Sequence, residues 1–312
     1  MAALKDDFEN YINECTYGKR LRPATIKASK EAYRQFARVV PEIETSEDVT
    51  PAVLTVFFQR LQTRERTVGR DTKVTGIKDV TIRAYAGRLK TFFKWLKDRK
   101  HISDNPFDTF KIPTPQFTDH RALTGDEIKR IMGCIVQHSG STFIMRRDLA
   151  MIGILTFCGL RRTELISLEM RDVDIEAGFI TVRSETSKSK RTRRLPINIF
   201  LRPYLKEYIE VRKQRKCKAI RFFVSQGKDR DLTLHGLKHW VERIVKKSGV
   251  RFHLHRLRHT FATNLGIQGV GAIKIQKLMG HSDLRMTQMY LRSIEAEELS
   301  EDMNKISFEN LA

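Results

Sequence analysis

Six residues on short, separate stretches of the chain carry the side chains that phosphate chemistry requires. They are Arg161, Lys188, His255, Arg258, His281 and Tyr290. Moving a phosphodiester onto a side-chain oxygen needs a nucleophile, positive charge around the phosphate and a proton donor for the departing oxygen. Guanidinium groups suit the phosphate because each can bind two of its oxygens and stays charged at every relevant pH. The residue types therefore predict one site that breaks and reseals a phosphodiester.

The spacing of the arginines and histidines places them on helical turns. His255 and Arg258 are three residues apart, so both can face a single phosphate, whereas His259 is expected to point elsewhere. Glu164 follows Arg161 by three residues and is predicted to fix the orientation of that arginine from the same helix face. An ordinary surface ion pair is the alternative interpretation of these last two residues.

Tyr290 follows His281 by nine residues. In one unbroken helix that spacing would point the two side chains about 180° apart, so a break or bend is required between them. The break is predicted at Ser282-Asp283, and His281, after Gly280, is expected at a helix start. A lone tyrosine among apolar residues is more often part of a core than a nucleophile. The predicted role of Tyr290 therefore depends on its position after Gly280-His281.

Three stretches together resemble the tyrosine recombinase (phage integrase) family. They are Cys158 to Glu164, His255 to Thr263, and Gly280-His281 with the later Tyr290. The resemblance covers roughly residues 119 to 292. It implies that Tyr290 attacks a DNA phosphate held by the arginines and histidines named above and forms a 3′-phosphotyrosine. That bond conserves energy for resealing, so the resemblance implies that neither ATP nor a metal ion is needed.

The resemblance also assigns the proton donor. Counting back from Pro196 aligns Lys188 with the family's hairpin lysine, the general acid for the departing 5′ oxygen, and Lys190 is the alternative. No cofactor is expected. A metal site at the histidines around His255 is not expected either, because Arg256 and other arginines are interleaved with them and oppose a cation.

The composition favours a nucleic-acid partner. The 312-residue chain has a formal net charge of +21 and a pI near 10.0, and phosphate neutralisation by Lys and Arg drives binding through counterion release. No uncharged apolar run reaches about 18 residues, so no membrane span is expected. The N-terminus lacks the order of a secretory signal, and the four cysteines are far apart. A cytoplasmic protein with reduced cysteines is therefore expected.

Apolar periodicity divides the chain into two helical parts. Residues 1–104 predict four helices, the third with Thr50 as N-cap and Pro51 at its first position. The polar stretch 62–79 predicts a loop, and three prolines within 105–119 predict an interdomain linker. The resemblance implies that the four helices form a core-binding domain that closes around DNA like a clamp.

The second part predicts an α+β domain over residues 120–293. It opens with a capping box at Thr124 and Glu127. Short antiparallel strands are expected at 173–175, 179–183 and 193–197. The predicted fold class is therefore mainly α with a small antiparallel β-sheet, and the resemblance implies that this second domain is catalytic. The acidic tail 294–312 is expected either to dock on a neighbouring protomer or to pack on its own domain.

The resemblance implies a site-specific DNA recombinase that serves integration or excision of a mobile element, or resolution. Four protomers would form a homo-tetramer on synapsed double-stranded DNA and pass through a Holliday junction. The resemblance also allows accessory DNA-bending proteins as further partners. Two alternatives stay open, namely a relaxing enzyme like type IB topoisomerase and a non-catalytic, sequence-specific DNA-binding protein.

Overall fold

A computed structural model describes residues 3–69, 71–110, 121–187, 190–225 and 229–291. The chain divides into two compact units, Met1–Thr118 and Asp119–Ala312. Each unit has its own hydrophobic core. Among the described residues, no helix is both long enough and apolar enough to cross a lipid bilayer.

In its described residues, the N-terminal unit is built from four α-helices. Their bounds are Leu4–Asn13 (α1), Pro23–Val39 (α2), Pro51–Thr63 (α3) and Asp79–Asp98 (α4), and a π-helical turn at Glu14–Gly18 follows α1. As predicted, the Thr50 side chain caps α3 by accepting a hydrogen bond from the Val53 amide, and Pro51 begins the helix. Aromatic rings such as Phe57 and Phe93 lie fully buried in the core. The four predicted helices are therefore confirmed.

The stretch predicted as a loop contains a β-hairpin instead. Strands Glu65–Val68 (β1) and Thr72–Thr75 (β2) pair antiparallel with Arg66 opposite Val74. All four residues of β2 are exposed, so neither face carries the apolar alternation by which a half-buried strand is recognised. Gly76, at φ +70°, ends the hairpin where a Cβ would collide with the backbone oxygen of Gln62.

The N-terminal unit extends past the predicted start of the linker. Phe107 is fully buried, and the Phe110 ring stacks on Phe58 with centroids 5.0 Å apart. Asn105 is buried as well and donates a hydrogen bond to the backbone oxygen of Lys90 over 3.2 Å. Residues 105–110 are therefore part of the folded unit, because their two aromatic rings complete its core. The rest of the predicted linker lies outside the described residues.

The C-terminal unit, as far as it is described, has eight α-helices and a three-stranded sheet. The helices are Gly125–His138 (α5), Thr142–Cys158 (α6), Arg162–Ser167 (α7), Arg202–Gln214 (α8), Leu234–Ser248 (α9), Leu254–Ile267 (α10), Ala272–Met279 (α11) and Leu284–Leu291 (α12). The strands Val173–Asp174 (β3), Phe179–Val182 (β4) and Arg193–Pro196 (β5) pair antiparallel in the order β3-β4-β5. The predicted fold class, mainly α with a small antiparallel sheet, is confirmed.

Helix α6 forms the centre of this unit and sets the position of the site. It is buried on nearly all sides and packs against α5, α8 and α10. It ends at Gly159, which has φ +57°, and a Cβ at this position would collide with the ring of Phe261 on α10. The end of α6 therefore lies tightly against α10, and Arg161 follows two residues later.

Candidate active site

Arg258 joins the three segments that form the site. Its side chain points inward from α10 and is only 2% exposed. The guanidinium donates hydrogen bonds to the backbone oxygens of Gly159, after α6, and Met279, at the end of α11. Burial and the nearby Arg161 lower the pKa of Arg258 to about 10. The group is therefore still a cation at neutral pH, held by carbonyl dipoles.

Arg161 lies at the N-terminus of α7 and meets Glu164 as the sequence predicted. Its Nη1 donates to Oε1 of Glu164 over 2.9 Å, its backbone amide donates to Oε2 of the same carboxylate, and its Nη2 donates to the backbone oxygen of Gly280 over 3.0 Å. Glu164 is only 1% exposed. The contact is therefore a buried interaction, not the surface ion pair that was the alternative.

Arg193 on β5 is a further member of the cluster that the sequence did not reveal. It holds both carboxylate oxygens of Glu164, at 2.8 and 3.1 Å, and its Nε donates to the backbone oxygen of Leu278. Burial raises the pKa of Glu164, but the hydrogen bond and charge of Arg193, together with Arg161, lower it to about 2. One signal could have identified Arg193. It lies two residues before the buried Leu195 on a strand, so both side chains share one face.

His281 lies in the turn between α11 and α12, not at a helix start as expected. Gly280, at φ +63°, ends α11. The His281 Nε2 lies 3.0 Å from Nη2 of Arg258, and its Nδ1 lies 2.9 Å from the hydroxyl of Thr287. Because a guanidinium only donates, Nε2 accepts and Nδ1 carries the proton.

The protonation of His281 follows from where it lies. Its side chain is buried at 7% exposure. Burial and the charges of Arg258 and Arg161 lower its pKa to about 3. His281 is therefore a neutral imidazole in the free protein. Thr287, fully buried on α12, fixes its tautomer and was not singled out in the sequence.

Tyr290 on α12 reaches the same place. Its hydroxyl lies 3.2 Å from Nε2 of His255, and its ring stacks on His281 with centroids 5.5 Å apart. The helix break predicted between His281 and Tyr290 is present, since α11 ends before Gly280 and α12 begins only at Leu284. The Tyr290 ring is also part of a small apolar cluster with Phe261 and Met279. The ring of Tyr290 therefore packs in this small core while its hydroxyl lies at the candidate site.

Two histidines of α10, His255 and His259, contact Tyr290. Partial burial of the His255 imidazole and the charge of Arg258 lower its pKa. His259 was expected to point elsewhere, and that expectation is wrong. Its ring centroid lies 5.3 Å from that of Tyr290, and it is buried. The reason is that α12 packs along α10. His259 lies one helical turn after His255, so its ring also contacts Tyr290.

Five of the six predicted residues therefore converge in the C-terminal unit. Lys188 and Ser189 lie outside the described residues, whereas Lys190 is described and has φ +53°. The lysine stretch follows β4 and precedes β5, which carries Arg193. Among the described contacts, the guanidinium groups of Arg161 and Arg193 hold the carboxylate of Glu164, and Arg258 lies close enough to feel its charge. The excess of positive charge makes this a place for an anion such as a phosphate.

Comparison with known proteins decides the family. The sequence pattern of the phage integrase family matches residues 121–297. The chain belongs to the phage integrase family. Among curated proteins, it is 30% identical to the tyrosine recombinase XerC of Bacillus subtilis over 69% of this chain and 71% of that protein. It is also 30% identical to the tyrosine recombinase XerA of Saccharolobus solfataricus over 85% of this chain and 81% of that protein. The resemblance to tyrosine recombinases is thus confirmed.

The fold is shared with solved integrase structures. The integrase of transposon Tn1549, solved in complex with a circular intermediate DNA, matches with a TM-score of 0.78 and 20% identity over 98% of this chain and all of that chain. The lambda integrase dimer bound to a core site matches with a TM-score of 0.70 and 17% identity over 95% of this chain and 79% of that chain. As a phage integrase family member, the chain is a tyrosine site-specific recombinase by relationship.

Proposed function

We propose that this recombinase uses Tyr290 to cut and rejoin double-stranded DNA. The phenol oxygen attacks the scissile phosphorus, a Tyr290–phosphate bond forms, and the bond from phosphorus to the 5′ oxygen breaks. The released 5′-hydroxyl of a partner strand then attacks the phosphotyrosine and regenerates the phenol. The single observation that carries the proposal is the 3.2 Å contact between the Tyr290 hydroxyl and Nε2 of His255, beside Arg258 and His281.

Each remaining residue has a part in that reaction. Neutral His255 accepts the phenol proton, a role that its lowered pKa supports at neutral pH. Arg161 and Arg258 hold the phosphate. In the contacts described, Arg161 uses two of its five N–H groups through its guanidinium and Arg258 three. Both therefore keep N–H donors for phosphate oxygens. Glu164 and Arg193 help to orient these donors.

The proton for the departing 5′ oxygen is assigned to Lys188 and the phosphate contact to His281. We base the Lys188 role on its place in the sequence between β4 and β5, because β5 carries Arg193. A phosphate beside His281 favours its charged form and would raise its pKa from about 3. His281 could then donate through Nε2 to a phosphate oxygen instead of accepting from Arg258.

The wider assembly is proposed from charge and relationship. The net charge of +21 suits double-stranded DNA, and related integrases have been solved with DNA. We infer a homo-tetramer on synapsed duplexes, with the N-terminal unit, which includes residues 105–110, as the core-binding clamp and 120–293 as the catalytic domain. The tail 294–312, outside the described residues, is assigned to contacts between protomers. Mobile-element integration or excision, or resolution, is the biological context.

A suicide duplex that carries a nick near the target phosphate tests the proposal, with candidate sites taken from the DNA that flanks the gene. The wild-type chain should accumulate a covalent adduct, and Tyr290→Phe should bind the duplex without forming one. Tyr17→Phe, at a tyrosine 78% exposed in the N-terminal unit, is the matched control and should behave as wild type. Adduct at the wild-type level in Tyr290→Phe would show that another residue is the nucleophile.

Two-site plasmids separate the alternatives. A recombinase exchanges strands between the sites, whereas an enzyme like type IB topoisomerase only relaxes the supercoils. A non-catalytic DNA-binding protein does neither and leaves no adduct. Strand exchange that is lost in Tyr290→Phe is the result that we expect.

A further inference from the structure

Two histidines lie side by side on the exposed face of α9. His235 and His239 are four residues apart, so their side chains share one face of the helix. Their Nε2 atoms are 3.1 Å apart, and their ring planes are inclined by 75°. On its opposite face, α9 is anchored in the core by Leu237 and Trp240. The backbone that carries the two imidazoles is therefore fixed.

Glu242, one turn further along α9, decides where one of these rings carries its proton. Its Oε2 lies 3.2 Å from Nδ1 of His239. Because a carboxylate only accepts hydrogen bonds, Nδ1 of His239 carries the proton, and Nε2 of the neutral ring presents a lone pair toward His235. Metal-binding histidines in proteins are commonly held in this way, with the far ring nitrogen donating to a carboxylate.

We propose that His235 and His239 bind a transition-metal cation of the Zn²⁺, Ni²⁺ or Cu²⁺ class. Metal–nitrogen bonds of about 2.0 to 2.1 Å place two neighbouring imidazole nitrogens roughly 2.9 to 3.3 Å apart, in octahedral and tetrahedral geometry respectively. The observed separation of 3.1 Å lies within that interval. In the metal-free chain, Nε2–H of His235 donates to His239. Binding requires that His235 move this proton to its own Nδ1 and that the two rings turn until both Nε2 lone pairs converge on the cation.

The surroundings of the pair are compatible with a cation. Lys238 lies on the same stretch of helix but pairs with Glu242 at 3.6 Å. This differs from the cluster at Tyr290, where arginines surround the histidines. The side chain of His239 is 60% exposed, so a cation can reach it from solvent. Mg²⁺ and Ca²⁺ prefer oxygen ligands and are not expected to bind here.

The pair supplies two ligands and leaves the other positions of the metal open. Within the part of the chain that the structure describes, no group of three or more His, Cys, Asp or Glu is arranged to hold a metal ion. Water or a ligand from another molecule would therefore complete the coordination. The pair lies on a different helix from the residues assigned to the DNA phosphate, so this inference stands apart from the proposed function.

Metal titration of the full chain, prepared without a polyhistidine tag and stripped with EDTA, tests the site. We expect Zn²⁺ and Ni²⁺ each to bind one equivalent at the pair. Either His235→Asn or His239→Asn should weaken that binding at least about tenfold, because a single imidazole is not a chelate. The double variant should bind Zn²⁺ and Ni²⁺ about as weakly as either single variant, because chelation needs both imidazoles. Lys246→Gln, at an exposed residue two turns further along the same face of α9, is the matched control and should keep the site.

Two more measurements distinguish chelation from a simple hydrogen bond between imidazoles. Glu242→Ala removes the carboxylate that orients His239 and should weaken Zn²⁺ binding about tenfold. Saturating Zn²⁺ should raise the Tm of the wild-type chain, but not that of His239→Asn. Wild-type Zn²⁺ and Ni²⁺ affinities in both histidine variants, with a normal Tm in EDTA, would overturn the proposal.

Discussion

The charge of each residue in the recombinase site follows from its burial and its partners. Glu164 and His281 are similarly buried, yet one is charged and the other neutral. Glu164 has the guanidinium groups of Arg193 and Arg161 against it, and they outweigh the cost of burial. The charges that act most on His281 are those of Arg258 and Arg161, so burial and charge act together against its protonated form. An arriving phosphate therefore changes the environment of His281 more than that of Glu164.

Thr287 is expected to position His281 for the reaction. Thr287→Val keeps the side-chain shape but leaves the buried Nδ1–H of His281 without its acceptor, which costs about 1 to 3 kcal/mol. We expect adduct formation on the nicked duplex to slow at least about tenfold, with DNA binding nearly unchanged, and Thr287→Ser to restore the rate. Thr55→Val, at an exposed threonine of α3, is the control. Equal rates of adduct formation in Thr287→Val and wild type would show that Thr287 does not position His281 for the reaction.

The low pKa of His281 predicts a loss of stability in mild acid. Its folded pKa of about 3 lies below the ordinary value of 6.5. Between these two pH values the unfolded chain binds a proton that the folded chain does not, so stability present above pH 6.5 is lost as the pH falls. From pH 7 to 5, the free energy of unfolding should fall by about 1 to 2 kcal/mol more in wild type than in His281→Gln.

Urea unfolding at the two pH values measures this difference. Salt should be held constant so that other charges are screened equally. The same pH dependence in wild type and His281→Gln would contradict the assignment of a neutral, buried His281.

At the scale of elements, helix ends place the groups proposed to be catalytic. α6 ends at Gly159 just before Arg161, and α11 ends at Gly280 just before His281. Both glycines have positive φ, so each turn delivers the next residues inward. The carbonyls at these helix ends also hold Arg258 and Arg161. The residues that end these two helices therefore also provide contacts that assemble the site.

A pair of glycine variants isolates this effect. Gly280→Ala and Gly269→Ala both place an alanine at positive φ, +63° and +74°, and both should lose about 1 kcal/mol of stability. Only at Gly280 does the new Cβ meet the Arg193 guanidinium, at 2.9 Å, whereas Gly269 has open space. We expect adduct formation to fall at least about tenfold in Gly280→Ala and to stay near wild type in Gly269→Ala. Equal activities in the two variants would mean that Arg193 moves aside without consequence.

Elements marked by local signals could be predicted, and those that depend on tertiary contacts could not. The cap at Thr50 and the capping box at Thr124 are local, and both are present. The β1–β2 hairpin was missed because its exposed residues show no apolar alternation. Arg193 was missed because a basic residue in a basic stretch looks like one more DNA contact. Its role depends on Glu164, 29 residues earlier in the chain.

At the scale of the whole molecule, charge sets the conditions under which DNA is bound. The chain has 58 Lys and Arg against 37 Asp and Glu. Among the described residues, the site around Glu164 takes up three arginines, so most of the Lys and Arg residues lie elsewhere in the chain and can follow the backbone of a long DNA site. Affinity should therefore depend on salt much more strongly than the chemistry at Tyr290 does.

The salt dependence of binding tests this distribution of charge. With roughly six to ten phosphate contacts, affinity for a duplex should fall about 10³- to 10⁵-fold between 50 and 200 mM salt. Tyr290→Phe should be used, so that binding is measured without adduct formation. A shallow slope, with one or two counterions released, would mean that the positive charge does not follow the DNA backbone.

The burial of Phe107 has a practical consequence for anyone who divides this protein into pieces. A fragment cut after residue 104 would lose that ring, and removing a fully buried phenylalanine costs about 3 to 5 kcal/mol. The gap would also uncover apolar walls that invite aggregation. A fragment cut after Phe110 keeps both rings and should be recovered in soluble form, with a sharper melting transition than the shorter piece.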